Sequence, residues 1–168
     1  LITDGKTPVA LAGIMGGLKS AVTDKTTEVL VESAYFDPIV TRRSAKHLQM
    51  STDASKRYER GVDPNGAEKA FHRVVSLLIK YAGGELDSDI VDVYDKKITP
   101  NEIVLTQSKM NLIMGFEVDD KEIDRILDSL GFEHSKLNNE WKCFSPTFRP
   151  DIEREIDVIE EIARMVGY

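Results

Sequence analysis

Cysteine is almost absent from this 168-residue sequence, Cys143 being its one representative. A lone thiol has no partner within the chain, so a cystine-stapled secreted scaffold is excluded and a reducing, cytoplasmic compartment is expected. No apolar run approaches the roughly 18 residues needed to cross a bilayer. Leu1 to Lys6 have neither the basic start nor the apolar stretch of a signal peptide. Neither membrane insertion nor export is therefore expected. Positive charge is also in deficit: 22 Lys and Arg against 29 Asp and Glu leave a net charge of −7. That balance argues against a surface that wraps nucleic acid on all sides, because phosphate neutralisation needs clustered cations, although a local basic patch stays open. His47, His72 and His134 lie far apart without ligand spacing, which speaks against zinc. No internal repeat, low-complexity segment or nucleophile–base pairing is legible.

What is present suffices for a folded chain, since 41% of the residues are apolar and the length fits one ordinary domain or two small ones. The sequence opens inside a turn, Thr3-Asp4-Gly5-Lys6, and stops directly after a helix, as expected of a piece of a longer protein. A Gly-rich strand and loop run from Val9 to Gly17, and Glu28 to Ala34 has strand character. Asp37-Pro38 opens a helix through Arg42, Arg43 and Lys46. Asp63-Pro64 opens a second, whose Ala67, Ala70, Phe71, Val74, Leu78 and Ala82 recur at helical spacing and predict a buried face. Gly83-Gly84 stops it.

After a short strand from Asp89 to Tyr94, the polar stretch Asp95 to Asn101 is the best linker, which divides the chain into 1–96 and 97–168. The second half reads as a strand (Ile103 to Leu105), a helix (Gln107 to Met114) and a helix (Asp120 to Leu130) with Asp119 and Glu122 at capping-box positions. Two strands follow, joined at Leu137-Asn138-Asn139, and then a helix from about Glu153 to Met165.

Three segments can carry chemistry. In the last helix, a turn of about 100° per residue puts Ile152, Ile156, Ile159, Ala163 and Val166 on one stripe and Asp157, Glu160 and Glu161 on another face. Converging carboxylates are costly unless a cation or basic groups sit opposite. The helix therefore reads either as a Mg²⁺ site or as a solvated acidic face. In the run Ser51 to Pro64, small hydroxyl residues with Arg57 and Arg60 fit either a ligand pocket or ordinary helix capping. The glycines of Ala12-Gly13-Ile14-Met15-Gly16-Gly17 lack the dinucleotide and phosphate-loop spacings, which leaves a tight turn in a sheet. Glu32, beside Val29-Leu30-Val31, is either aimed into a polar pocket or turned to the surface by strand alternation.

In order along the chain, Ala10 to Gly17, Leu30 to Phe36, Thr52 to Ser55 with Tyr58 to Pro64, and Ala82-Gly83-Gly84 resemble the editing domain of bacterial-type phenylalanyl-tRNA synthetase beta subunits. Leu130-Gly131-Phe132, Ser145-Pro146 with Arg149 to Ile152, and Asp157 to Arg164 with Gly167-Tyr168 are similar to the fifth module of that subunit. The resemblance implies an α+β chain: the C-terminal part of a mixed-sheet editing domain, then a small helical module with a β-ribbon, winged-helix-like. It implies hydrolytic proofreading of tyrosine misattached to tRNA(Phe), with Glu32 receiving the tyrosine hydroxyl and Thr52, Ala54 and Gly16 lining the pocket. An upstream histidine used by the family has no counterpart here, so the segment alone is expected to be inactive in editing, or nearly so. Asp151, Asp157, Glu160 and Glu161 would be Mg²⁺ ligands in a site shared with the alpha subunit of a heterotetramer of two alpha and two beta chains. ATP chemistry belongs to the alpha subunit. Rival readings are a free-standing RNA- or DNA-binding module, a scaffold, or a metal-dependent hydrolase.

Overall fold

The computed structural model describes residues 1–167. It divides into two compact units, Leu1–Asp95 and a second from Lys96 onward.

The first unit begins with a three-stranded antiparallel sheet, β1 (Ile2–Thr3), β2 (Pro8–Leu11) and β3 (Met15–Gly16), in that order. Asp4 shapes the first turn, its Oδ1 accepting from the N–H groups of Lys6 and Thr7. The glycine segment is indeed a tight turn between strands. Gly13 adopts a φ of +67°, and an added Cβ there would come within 2.9 Å of the Phe36 ring. At Gly17 a Cβ would lie 2.5 Å from the Val9 carbonyl oxygen, so only glycine lets these backbones approach.

Helix α1 (Pro38–His47) starts at Asp37, which accepts from the Ile39 and Val40 N–H groups with proline in the first turn. Helix α2 is Asp53–Tyr58. A short 3₁₀ turn, Pro64–Gly66, precedes α3 (Ala67–Ala82), which ends at Gly83 in the left-handed region.

Three expectations fail in this unit. Residues 28–34 and 89–94 form no strand, because a strand needs a ladder partner for its N–H and C=O groups and none of the described residues supplies one. Leu30 is fully exposed. Ser33 still anchors its segment, its hydroxyl donating to the Ala67 carbonyl over 2.7 Å. The apolar stripe of α3 does not bury: Val74 is 41% exposed and no α3 residue is buried.

The second unit is better closed. It runs β4 (Asn101–Thr106), α4 (Gln107–Met114), α5 (Asp120–Ser129), β5 (Glu133–Leu137), β6 (Glu140–Ser145) and α6 (Glu155–Val166). The strands pair antiparallel in the order β4-β6-β5, so the expected ribbon is the edge of a three-stranded sheet. Among the described residues both sheets are antiparallel, and the parallel pairing that a mixed sheet requires is not found there.

Strand alternation turns Ile103, Leu105, Trp141 and Cys143 inward against Ile123, Ile126 and Leu127 of α5 and Val158, Ile159 and Ile162 of α6. Each such side chain contributes about 1.5–3 kcal/mol on burial. Trp141 is wholly buried, yet its indole N–H reaches Asp124 Oδ1 at 2.8 Å, so its polar atom is satisfied.

Two helix starts differ from expectation. Asp119 caps α5 by accepting from Lys121, but Glu122 pairs with Arg125 instead of closing a capping box. Helix α6 begins at Glu155, two residues late, because Asp157 bonds back to the N–H groups of Glu153 and Arg154 and fixes the cap there.

Candidate functional site

In the first unit the residues expected to line a pocket gather around α2. Thr52 is its N-cap: Thr52 Oγ1 accepts from the Ser55 N–H at 3.0 Å, and Ser55 Oγ accepts from the Thr52 N–H at 2.9 Å. Helix capping and placement beside the glycine turn coincide here, because the same Thr52 hydroxyl donates to the Ile14 carbonyl at 2.6 Å. That bond ties α2 to the loop just before Gly16. An added Cβ at Gly16 would meet nothing within 4 Å, so open space adjoins it. Ala54 lies half-buried in the first turn of α2, and Ser55 beside it is 1% exposed.

Glu32 is exposed by area, yet desolvation pushes its carboxyl above the usual carboxylate range. At the other end of α2, the Tyr58 hydroxyl is pushed up by desolvation and by the charge of Glu32, which places that carboxylate within electrostatic reach of the helix. Tyr58 meets Phe36 edge to face at 4.9 Å between ring centroids, and both rings close over Gly13. Sequence reasoning did not assign this aromatic pair. Its signal was an aromatic just before α1 and another at the end of α2, coupled to a glycine that tolerates no side chain.

In the second unit the carboxylates do not converge as helical spacing suggested. Arg149 donates to both oxygens of Asp151, at 3.0 and 2.7 Å, and to both oxygens of Glu161, at 3.0 and 3.2 Å. Glu161 is 4% exposed and takes a further bond of 3.1 Å from Arg164. Asp157 is turned to the start of α6 and bonded by Arg154, while Glu160 is exposed.

Arg149 is pushed further up by the hydrogen bonds it donates to Asp151 and Glu161, and the same Arg149 contact holds Asp151 below the usual carboxylate range. Among the described residues no three His, Cys, Asp or Glu side chains are grouped to hold a metal ion. The four acids therefore do not fit Mg²⁺ as arranged, since the oxygens of Asp151, Asp157 and Glu161 are taken by guanidinium and backbone donors and Glu160 is exposed apart from them. Arginines at positions 154 and 164, three residues from Asp157 and Glu161, were the sequence signal for this outcome. The Arg149–Glu161 bond was not legible at that level.

A second carboxylate is held just as firmly. Glu155 Oε1 accepts from the N–H and the hydroxyl of Thr106 at 2.8 and 2.6 Å, and Oε2 from Lys109 at 2.7 Å, which locks α6 to the end of β4. Among the described residues no helix is long and apolar enough to cross a membrane.

Residues 1–83 match the B3/4 domain family and residues 103–168 match the tRNA synthetase B5 domain family. A phenylalanine–tRNA ligase beta subunit from Thermotoga maritima is 45% identical over 168 residues, covering all of this chain and 21% of that protein. The corresponding subunit from Syntrophus aciditrophicus is 44% identical over 172 residues, with the same coverage. A crystal structure of an N-terminal fragment of the Pyrococcus horikoshii phenylalanyl-tRNA synthetase beta subunit aligns with 44% of this chain and 21% of that one. Its TM-score is 0.40 at 27% identity.

The chain is thus an α+β segment that joins B3/4-type and B5-type sequence, a pairing that marks an aminoacyl-tRNA synthetase component. It belongs to the phenylalanine–tRNA ligase beta subunit family, and it spans about a fifth of the length of the curated relatives it matches.

Proposed function

We propose that the chain serves in a phenylalanine–tRNA ligase, its first unit in hydrolytic proofreading of tyrosyl-tRNA(Phe) and its second in assembly with the alpha subunit. The carrying observation is the match to beta subunits over the whole chain, with both domain families in sequence order. The ligase reaction, with its ATP, its tRNA(Phe) and its cytoplasmic setting, belongs to the complete enzyme in this proposal, as does its build from two alpha and two beta subunits.

For proofreading, Glu32 is assigned to the tyrosine hydroxyl, with Thr52, Ala54 and Gly16 along the wall. A carboxylate in a partly desolvated position gains a hydrogen bond from tyrosine and is left unpaired beside phenylalanine, which discriminates between the two. The raised carboxyl of Glu32, the small side chain of Ala54 and the open space at Gly16 support the assignment. Replacing Glu32 by Ala in the intact ligase is expected to slow release of tyrosine from tyrosyl-tRNA(Phe) by about tenfold or more, the scale of one lost polar contact. Release at the unaltered rate would defeat the assignment.

Magnesium enters this proposal only with the assembled enzyme. Asp151, Asp157, Glu160 and Glu161 remain the proposed ligands there, but no step is drawn through the ion because arginines hold Asp151, Asp157 and Glu161 in the chain as it stands. Replacing Asp157 and Glu160 together is expected to weaken association with the alpha subunit, measured by co-purification. Undiminished assembly and metal content would remove the second unit from that role.

A further inference from the structure

Burying a carboxylate as deeply as Glu161, set among Val158, Ile159 and Ile162, is costly unless a cation or hydrogen-bond donors lie close by. In this chain the cation is covalently attached. Arg149 lies in the loop between β6 and α6, its N–H bonded to the Pro146 carbonyl at 2.9 Å and its own carbonyl accepting from the Ile152 N–H at 3.3 Å. Ile152 is 1% exposed and anchors the loop in the core. From that position one guanidinium makes four bonds, two to each of two carboxylates twelve and two residues away.

We infer that Arg149 is the chain's own cation for Asp151 and Glu161, so that a divalent ion can take these carboxylates only by displacing the guanidinium. The inference rests on the proposed magnesium role for its metal and on the observed bonds for its gate. Two features favour the arginine. Its paired donors match carboxylate geometry, and the loop presents them without the cost of bringing a separate partner from solution. Magnesium, by contrast, gives up its water reluctantly and needs near-octahedral oxygen ligands. All four oxygens of Asp151 and Glu161 are already occupied.

The test is a divalent-ion titration of the full 168-residue chain without any alpha subunit, with Mn²⁺ followed by electron paramagnetic resonance and Mg²⁺ by calorimetry. Arg149→Gln is expected to bind Mn²⁺ on the order of tenfold or more tighter than the parent chain. Arg149→Lys keeps a positive charge in place and is expected to stay closed. Adding Glu161→Gln to Arg149→Gln is expected to abolish the gain.

Equal affinities for the parent chain and Arg149→Gln would overturn the inference, as would a gain that survives Glu161→Gln. Should circular dichroism show Arg149→Gln unfolded, the parent chain decides by itself. Its thermal midpoint is expected to be the same in MgCl₂ as in NaCl of equal ionic strength, and a magnesium-specific rise would refute the gate. Because no alpha subunit is present, a failure here is distinct from a failure of assembly.

Discussion

Replacing Thr52 by Ala removes two jobs from one oxygen. The hydroxyl caps α2 by accepting from Ser55 and fastens the glycine turn by donating to Ile14. Loss of such a cap costs about 1 kcal/mol. Loss of a short bond to the carbonyl of a residue only 4% exposed adds about another 1 kcal/mol. Together, about 2 kcal/mol corresponds to an opening of the first unit that is roughly 30 times more populated.

Amide hydrogen exchange resolves this residue by residue. The Ile14 N–H, bonded to Leu11, and the Gly17 N–H, bonded to Val9, lie in the turn that Thr52 holds. Both are expected to exchange roughly 30-fold faster in Thr52→Ala. The Trp141 and Lys142 amides of the second unit are expected to exchange at the parent rate. Thr52→Ser, which keeps the oxygen, is expected to restore most of the protection. Faster exchange at Ser55 with Ile14 and Gly17 unchanged would refute the argument, since it would leave the cap real and the fastening to the turn without energetic weight.

The second unit invites three further measurements. Leu127 is wholly buried, and Leu127→Ala is expected to cost about 3 kcal/mol, read from the urea midpoint of Trp141 fluorescence; a change under about 1 kcal/mol would contradict the packing described. Burial pushes the Cys143 thiol up to about 12, so Ellman's reagent at pH 8 is expected to leave it untouched until denaturant is added; prompt reaction in the native chain would disprove its burial.

Hydrogen bonds from Arg149 hold Asp151 below its ordinary carboxylate value of 3.8, and those from Arg154 do the same for Asp157. Folding is thus favoured above that value, and the contribution is lost as pH falls through the lower native ones. Acid titration of the Trp141 signal should show stability falling below about pH 4, with a smaller loss in Asp157→Asn; identical acid curves would exclude that residue.

Much of this was legible because it is local. Asp37-Pro38, a hydroxyl cap at Ser51 or Thr52, and Gly83 announce helix ends through local groups, the structure choosing Thr52, and the alternation in β4 and β6 fixes which side chains enter the core. The glycine turn was read correctly for the same reason. What failed depended on partners elsewhere. Residues 28–34 carry the composition of a strand, but composition cannot provide a neighbour to pair with. The stripe of α3 predicts a buried face only if something covers it.

At the candidate sites, sequence indicated the residues and the resemblance gave them roles, while distance decided their company. Arg149 meets Glu161 across 12 residues, and Glu155 meets Thr106 across 49, separations at which no periodic pattern speaks. Asp157 was visible as an acid on a helix, and its work as a cap became clear only from its bonds to Glu153 and Arg154.

The strand order β4-β6-β5 has a consequence for how this chain is made. The middle strand is the last of the three to be synthesised, so β4 must wait for residues 140–145 to emerge before it gains its first neighbour. During that wait on the ribosome, α4 and α5 can coil locally but have no sheet to lie on. Nascent chains stalled before residue 140 should therefore be open to protease, and those extended past α6 resistant, which makes completion of one hairpin the commitment point of the module.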